Sequence, residues 1–335
     1  MFGAASAVLH YNVLSRLYGS MMCRLFGIPC IGYFGDFVSS LPRTLSLEGL
    51  EVFKRFHNAL RIVVEDDKCD EGGQIEFLGV VAQPSSGGVK VSISEERKQK
   101  LLECIREILC TGSFPRESAY PLGGKLSFAQ TMAFQKVGRS FFPLIYQHDR
   151  SPSDVLGKAL RNDLEWWVQF PEESKPKILR SLSKKVDLVA YTDASGGGGL
   201  GAVLIRDGKR ETLWGVADTD FCRWVGMGTS EIFCLEILAA LATVVVAASR
   251  FPGNKIMFYV DNKASLSSIT RGAVMGRRAN KMVRCTIAAQ KDMFLWFERV
   301  SSKDNHADFP SRNAGEPGWG SLPVKETVRM VMSRT

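Results

Sequence analysis

Four acidic residues in the C-terminal half of the sequence stand where they could share one metal site. Asp193 ends the apolar segment VDLVAYTD, Asp261 ends a second one, KIMFYVD, and Glu236 lies in the long apolar segment between them. Asp308 follows the segment LWFERVSS. Clustered carboxylates repel one another unless divalent cations neutralise them, and hard oxygen ligands select Mg²⁺ or Mn²⁺. Two such ions about 4 Å apart can support in-line displacement at a phosphodiester. The four acids therefore predict metal-dependent phosphodiester chemistry.

The segments around these acids alternate between strand and helix patterns. VDLVAYTDAS is predicted as a strand, and GLGAVLIRDGKRETLWGVA as a hairpin with Asp207-Gly208 at its tip. A helix, a strand, a helix and a strand are then predicted at SEIFCLEILAALATVVVAAS, KIMFYVDN, NKMVRCTIAAQKDMF and LWFERVSS. With a last helix at Asp308, this order predicts a mixed α/β domain. Neighbouring strands lie only about 5 Å apart, so acids at matching strand ends can converge with one from a packed helix.

Taken singly, each acid also has an ordinary structural explanation. Asp193 could be a turn residue, and Asp261 with Asn262 could cap a helix. Glu236 could lie at a helix edge, with Glu231 as a competitor for any role, and Asp308 could be a surface residue near Arg312. The order of the four acids along alternating strands and helices favours a shared site.

The composition describes a globular protein with a basic surface. The chain has 335 residues, of which 45% are hydrophobic and 23% charged, which is enough for two or three domains. A net charge of +8 favours a polyanionic partner such as nucleic acid, although an anionic membrane surface fits the charge equally well.

The cysteines and the apolar segments bear on the location of the protein. Eight cysteines without a C-x-x-C pair argue against a zinc ribbon or a disulfide scaffold, and reduced thiols indicate an intracellular protein, cytoplasmic or nuclear. The apolar run at 237–249 is too short to cross a bilayer, so a buried helix and no membrane partner are predicted.

Four motifs resemble, in order, the acid-bearing motifs of the ribonuclease H domain of retroelement reverse transcriptases. They are YTDASGGGGLGAVL, LEILAAL, YVDNKASL and SKDNHADFPSR. The wording NHADFPSR is closest to DIRS-like elements, with Ty3/gypsy-like elements as the alternative subclass. Glu236 matches the family better than Glu231, because the family's acid stands three residues before an alanine, here Ala239.

The resemblance implies a ribonuclease H-like domain with a mixed five-stranded sheet flanked by helices. It also implies that two Mg²⁺ or Mn²⁺ ions are held by the four acids and that the RNA strand of an RNA/DNA hybrid is cut. The catalytic and metal-binding residues would be Asp193, Glu236, Asp261 and Asp308. A catalytically silent remnant that only binds nucleic acid is the alternative function.

The N-terminal segments resemble parts of the polymerase palm of the same proteins. MFGAASAVLHYNVLSRL, GYFGDF, EDDKC and IEFLGV resemble the palm helix, the Y-x-D-D turn, the lysine-cysteine motif and the primer-grip strand. Tyr33, Gly35 and Asp36 would then form a degenerate polymerase site, because Gly35 stands where the first acid of the catalytic pair is expected. The segment with the other essential acid would precede Met1. The sequence is therefore predicted to be 5′-truncated and to lack polymerase activity, unless another chain supplies the missing segment.

The domain organisation implied by both resemblances has five parts. They are a partial palm at 1–92, an α-rich thumb or connection region at 93–173, a linker at 174–185, the ribonuclease H-like domain at 186–315 and a C-terminal tail at 316–335.

Two further groups are candidates for contacts with the substrate. His306, two residues before Asp308, could assist proton transfer or product release, or it could be a plain surface histidine. A basic helix could contact the phosphates of the hybrid or could present an ordinary solvated face. Its candidate residues are Arg277, Arg278, Lys281 and Arg284. The oligomeric state is not predicted.

Overall fold

A computed structural model describes residues 5–86, 88–130, 138–173, 177–179, 185–225, 229–290, 293–313 and 315–333. The chain forms two compact units. The first contains Met1–Lys100 and Lys175–Ser181, and the second contains Leu101–Ser174 and Leu182–Thr335. Helices occur together with a mixed sheet and two antiparallel ones, which confirms the predicted α/β class.

The first unit contains two small antiparallel sheets and two helices. Its elements are α1 (Ala5–Phe26), β1 (Cys30–Tyr33), β2 (Asp36–Ser39), α2 (Ser46–Ala59), β3 (Ile75–Phe77), β4 (Val80–Ser85), β5 (Gly88–Ile93) and β6 (Lys177–Leu179). β1 pairs with β2, and the second sheet has the order β3-β4-β5-β6. β6 lies in the segment predicted as a linker, where its backbone pairs with β5. Residues 174–176 and 180–184 of that linker lie outside the described part.

The β1–β2 hairpin contains the segment GYFGDF. Tyr33 pairs with Asp36 across it, and Phe34 at the tip has a φ of 52°. The Ser15 hydroxyl donates a hydrogen bond to the Phe34 carbonyl oxygen, which helps to hold this uncommon backbone conformation. A Cβ atom added at Gly35 would meet the Tyr11 hydroxyl oxygen at 3.5 Å, an ordinary contact. Packing in the hairpin therefore does not require glycine at position 35.

The second unit begins with four helices, followed by the alternating elements. The helices are α3 (Glu95–Thr111, whose first turns belong to the first unit), α4 (Ala119–Ala129), α5 (Phe142–His148) and α6 (Lys158–Glu173). The alternating elements are β7 (Leu188–Ala194), β8 (Gly199–Arg206), β9 (Lys209–Val216), α7 (Thr219–Val225), α8 (Thr229–Arg250), β10 (Lys255–Val260), α9 (Lys263–Arg271), α10 (Arg277–Ala289), β11 (Phe294–Arg299), α11 (Asp308–Arg312), β12 (Gly320–Ser321) and α12 (Val324–Ser333). Helix α6 includes Pro171 in its last turn and ends at Glu173.

The sheet of the second unit has six strands in the order β11-β10-β7-β8-β9-β12. β7, β10 and β11 are parallel to one another, whereas β8 is antiparallel to both β7 and β9. The predicted number of five strands is wrong because β12, from the segment predicted as a C-terminal tail, pairs with β9. Leu322, Val324, Val328 and Val331 anchor this segment, since all four side chains are buried in the core. Burial of these apolar side chains outweighs the entropy that a free tail would keep.

Helix α8 is the central helix of this core. It is longer than the apolar run predicted from the sequence, and by length and composition alone it could cross a membrane. However, 72% of its apolar window, Ile232–Arg250, is buried within the protein. It packs against β7 and β8 and against α10 and α12, which fixes the position of Glu236.

Candidate active site

Three of the four predicted acids meet at one end of the six-stranded sheet. Asp193 lies near the end of β7, and Asp261 directly follows the neighbouring parallel strand β10. Glu236 reaches the same point from α8. One carboxylate oxygen from each of the three lies within 4.8 Å of the others. Asp193 and Glu236 are each only 4% exposed, so two of these carboxyl groups are almost fully removed from water.

The electrostatics of this cluster show an excess of buried negative charge. Burial raises the pKa of Asp193 to about 6, with further upward effects from Asp261 and Asp308 and an opposing hydrogen bond from Ser311. Burial, followed by the charges of Asp193 and Asp261, raises the pKa of Glu236 to about 9.

One carboxylate oxygen of Glu236 is buried without a hydrogen-bond partner. The backbone N–H of Ala194 donates to its carboxylate, but Oε2 is buried without a hydrogen-bond partner. Buried oxygen atoms without partners are costly and rare. A divalent cation would supply both a partner for this oxygen and the positive charge that the cluster lacks, so these residues fit such an ion.

Two polar side chains that the sequence analysis did not select hold Asp193 in place. The Asn305 side-chain amide donates to Asp193 Oδ1 at 3.1 Å and to the Thr192 carbonyl oxygen at 3.1 Å. The Ser311 hydroxyl donates to Asp193 Oδ2. Both residues are at most 5% exposed. They flank Asp308 in the segment NHADFPSR, and their polar character in a segment that returns to the sheet was the only signal available.

The alternative explanation of Asp261 as a helix cap applies to its neighbour instead. Asn262 Oδ1 accepts hydrogen bonds from the backbone N–H groups of Ala264 and Ser265, both at 3.0 Å, and so caps α9. Asn262 therefore performs the capping, and Asp261 faces the acid cluster. The side chain of Glu231, the competitor of Glu236, lies outside the described residues.

Asp308 lies at the rim of the same cavity but outside the tight group of three. The cavity, of about 340 Å³, is lined by all four acids and by Arg312. Arg312 donates to Asp308 Oδ1 from Nη2 at 2.8 Å and from Nε at 3.0 Å. The predicted proximity of Asp308 and Arg312 is therefore a real ion pair, and Asp308 also lines the acid cavity.

His306 is exposed beside the site and is not among the residues that line the cavity. Its ring meets the ring of Tyr191 edge-on at a centroid distance of 4.6 Å, and Tyr191 stacks on Tyr259 at 5.0 Å. Each of these rings stands two residues before one of the acids. The contact with Tyr191 positions His306 and does not assign it a chemical role.

The four basic residues of α10 do not share one environment. Arg277 and Arg278 are exposed, and the Arg278 guanidinium lies 5.7 Å from the ring centroid of Trp224. Lys281 is partly buried, with its Nζ 5.8 Å from the same ring, and it donates to the Met332 carbonyl oxygen. Only the first two present their charges openly to solvent.

Arg284 is committed to the protein interior. Its Nη2 lies 3.1 Å from Asp163 Oδ1 and donates to the Ser140 carbonyl oxygen, and its guanidinium stacks 3.5 Å from the Phe141 ring centroid. These contacts join α10 to α6 and to the segment before α5. These contacts occupy the Arg284 guanidinium, so the structure gives no support to the prediction that it contacts phosphate. The sequence could not show this, because a charge pattern on a helix does not reveal which face meets another helix.

The predicted degenerate polymerase site lies in the hairpin of the first unit. Tyr33 is 50% exposed, and Gly35 and Asp36 are also exposed. Among the described residues, the acids that group closely enough to hold a metal are Asp193, Glu236 and Asp261, and Asp36 belongs to no such group.

Comparison with known proteins gives structural similarities without a family assignment. No protein-family model matches the chain, and no curated protein matches it. A foamy viral protease-reverse transcriptase in complex with an RNA/DNA hybrid is similar with 14% identity and a TM-score of 0.40 over 91% of this chain. The foamy viral protein in complex with double-stranded DNA has 14% identity and a TM-score of 0.36, covering 86% of this chain and 58% of that one. Ribonuclease H1 from the archaeon Halobacterium salinarum has 18% identity and a TM-score of 0.29, covering 37% of this chain and 92% of that one. This chain spans 39% of the length of the foamy viral chain bound to the hybrid.

Proposed function

We propose that this chain is a metal-dependent ribonuclease H that hydrolyses the RNA strand of RNA/DNA hybrids. The observation that carries the proposal is the convergence of Asp193, Glu236 and Asp261 within 4.8 Å, with a buried Glu236 oxygen that has no protein partner. An acid cluster with this geometry costs folding free energy unless it binds cations, so its presence needs a functional explanation.

The residues that would hold two Mg²⁺ or Mn²⁺ ions are the three clustered acids together with Asp308. Bound ions would supply charge neutralisation and activation of water for in-line displacement at the phosphodiester. The protein groups around them provide preorganisation. Asn305 and Ser311 fix both oxygens of Asp193, and the burial of Glu236 keeps bulk water away from its carboxylate.

Hybrid recognition in this proposal depends on the backbone of the nucleic acid. The net charge of +8 and the exposed Arg277 and Arg278 supply cations for phosphates, and contacts to 2′-hydroxyl groups would distinguish RNA from DNA. Low sequence specificity follows, because phosphates and sugars carry no base information. We further propose a retroelement origin, DIRS-like or Ty3/gypsy-like, on the basis of the motifs, and a lack of polymerase activity on the basis of Gly35. An intracellular location is proposed on the basis of the cysteines, which have no C-x-x-C pair.

The proposal is tested by the strand that is cut. The full chain is incubated, in Mg²⁺ and in a chelator, with four labelled duplexes of one sequence. They are an RNA/DNA hybrid labelled on the RNA strand, the same hybrid labelled on the DNA strand, an RNA/RNA duplex and a DNA/DNA duplex. We expect cleavage of the RNA strand of the hybrid only, and only with Mg²⁺. Binding of the hybrid without cleavage would instead support the nucleic-acid-binding alternative.

A further inference from the structure

One cationic side chain lines the cavity that contains the acid cluster. Among the described residues around this cavity, Arg312 is the only basic one, against four carboxylates, Asp193, Glu236, Asp261 and Asp308. A nucleic-acid phosphate that enters this cavity adds further negative charge. Besides the metal ions, Arg312 is therefore the group positioned to offset that charge.

The backbone of Arg312 is anchored while its charged end is exposed. The preceding residues Pro310 and Ser311 are buried, and the Ser311 hydroxyl is bonded to Asp193, so this end of α11 is tied to the site. The side chain of Arg312 is 68% exposed and that of Asp308 is 36% exposed. Exposed ion pairs four residues apart on a helix are weak, so this pair can open at little cost.

Asp308 has two possible partners, the guanidinium of Arg312 and a divalent cation. Both described hydrogen bonds from Arg312, through Nη2 and Nε, go to Oδ1 of Asp308. A divalent cation at Asp308 would be repelled by the guanidinium, whose positive charge lies beside the same carboxylate. A displaced guanidinium would keep its planar set of N–H donors, which matches two oxygens of one phosphate.

We propose that Arg312 binds a backbone phosphate of the nucleic acid at this site and leaves Asp308 for that phosphate when a divalent cation binds at Asp308. Without the cation, Arg312 neutralises Asp308. With it, Asp308 turns to the metal and Arg312 turns to the phosphate. This inference rests on the proposed function, because it assumes that the cavity receives cations and a nucleic-acid backbone.

The test uses two binding measurements on the full chain, neither of which requires cleavage. Mn²⁺ binding without nucleic acid is measured by calorimetry for the wild type and Arg312→Gln. Affinity for an RNA/DNA hybrid is then measured in Ca²⁺ at several salt concentrations. Arg55→Gln is the matched control, because Arg55 forms a similar exposed pair with Glu51, at 2.8 Å and four residues apart.

The expected results have opposite signs for the two ligands. The Arg312→Gln variant should bind Mn²⁺ at Asp308 about twofold more tightly, because the weak Arg312–Asp308 pair no longer opposes the ion. The same variant should bind the hybrid more weakly and lose about 0.7 to 0.9 from the slope of log affinity against log salt, the value for one phosphate contact. Arg312→Lys should keep most of that slope, and Arg55→Gln should change neither quantity.

Unchanged Mn²⁺ binding and an unchanged salt slope in Arg312→Gln would overturn the inference while leaving the proposed function intact. Weaker Mn²⁺ binding would also overturn it, because Arg312 would then support the metal site and not compete with the ion. Both expected shifts in a protein that does not cut the hybrid would sustain the inference and reject the proposed hydrolysis. A wild type that binds neither Mn²⁺ nor hybrid would reject both.

Discussion

Replacing Arg284 with methionine should destabilise the second unit, because it leaves the buried Asp163 carboxylate without its cation. The Asp163 side chain is 8% exposed and that of Arg284 is 25% exposed, and their closest atoms are 3.1 Å apart. Removing one partner of a fully buried pair costs roughly 3–5 kcal/mol. Because Arg284 is partly solvated and methionine can keep some contact with Phe141, we expect a loss of about 2–3 kcal/mol in the free energy of unfolding.

The loss should depend on pH with a defined sign. Burial raises the pKa of Asp163, and Arg284 opposes that rise. Without Arg284 the pKa of Asp163 moves further up, so the protonated carboxyl is favoured in the folded protein. A raised carboxyl pKa favours folding in acid and costs stability as the pH rises through it. The difference between variant and wild type should therefore be small in acid and grow towards neutral pH.

The assay is urea unfolding followed by tryptophan fluorescence in acid and at neutral pH, the two conditions between which the loss should grow. Arg278→Met is the control, because Arg278 is exposed on the same helix and should change stability by less than about 0.5 kcal/mol. The double variant Arg284→Met with Asp163→Leu should recover most of the loss. A stable Arg284→Met protein whose hybrid binding loses salt dependence would refute the structural role and restore Arg284 as a phosphate contact.

Three other outcomes are expected. Metal affinity should rise with pH up to about 9, the raised pKa of Glu236, because this carboxyl must lose its proton to bind the ion. For the same reason the metal-free protein should lose stability as the pH rises from 4.5, the ordinary pKa of a glutamate, to about 9. Calorimetry in two buffers should detect the released proton, and a metal affinity that does not change with pH would contradict this prediction. Gly35→Asp should fold, since Tyr11 leaves room, yet should not extend a primer; templated extension by it or by the wild type would contradict the proposed loss of polymerase activity. A fragment that begins after the predicted linker lacks the Asp163 partner of Arg284, so it should unfold at lower urea than one that includes α3 to α6, and equal midpoints would show that these contacts contribute nothing.

The part of the site that the sequence predicted depends on local rules. Strand alternation and the closeness of parallel strand ends place Asp193 beside Asp261, and both effects are visible in the pattern of the two apolar segments. Glu236 could be selected over Glu231 because LEILAAL resembles the family motif, in which an alanine, here Ala239, stands three residues after the acid. The acids therefore meet for reasons that short sequence windows contain.

The features that the sequence did not predict depend on contacts between distant segments. The bonds from Asn305 and Ser311 to Asp193 span 112 and 118 residues, and the bond from Arg284 to Asp163 spans 121. The sixth strand likewise forms because the final segment finds an edge of the sheet at β9. No local pattern distinguishes a basic helix face that meets solvent from one that meets another helix.

The central claim is tested most directly by single-turnover cleavage of one RNA/DNA hybrid by the wild type and by Asp193→Asn, with hybrid binding measured in parallel. The substitution keeps the size of the side chain and its capacity to bond Asn305, but it removes the charge that would hold a divalent cation. The account predicts Mg²⁺-dependent cleavage by the wild type, a loss of several orders of magnitude in Asp193→Asn, and nearly equal binding by both. Equal cleavage rates for the two proteins would contradict it.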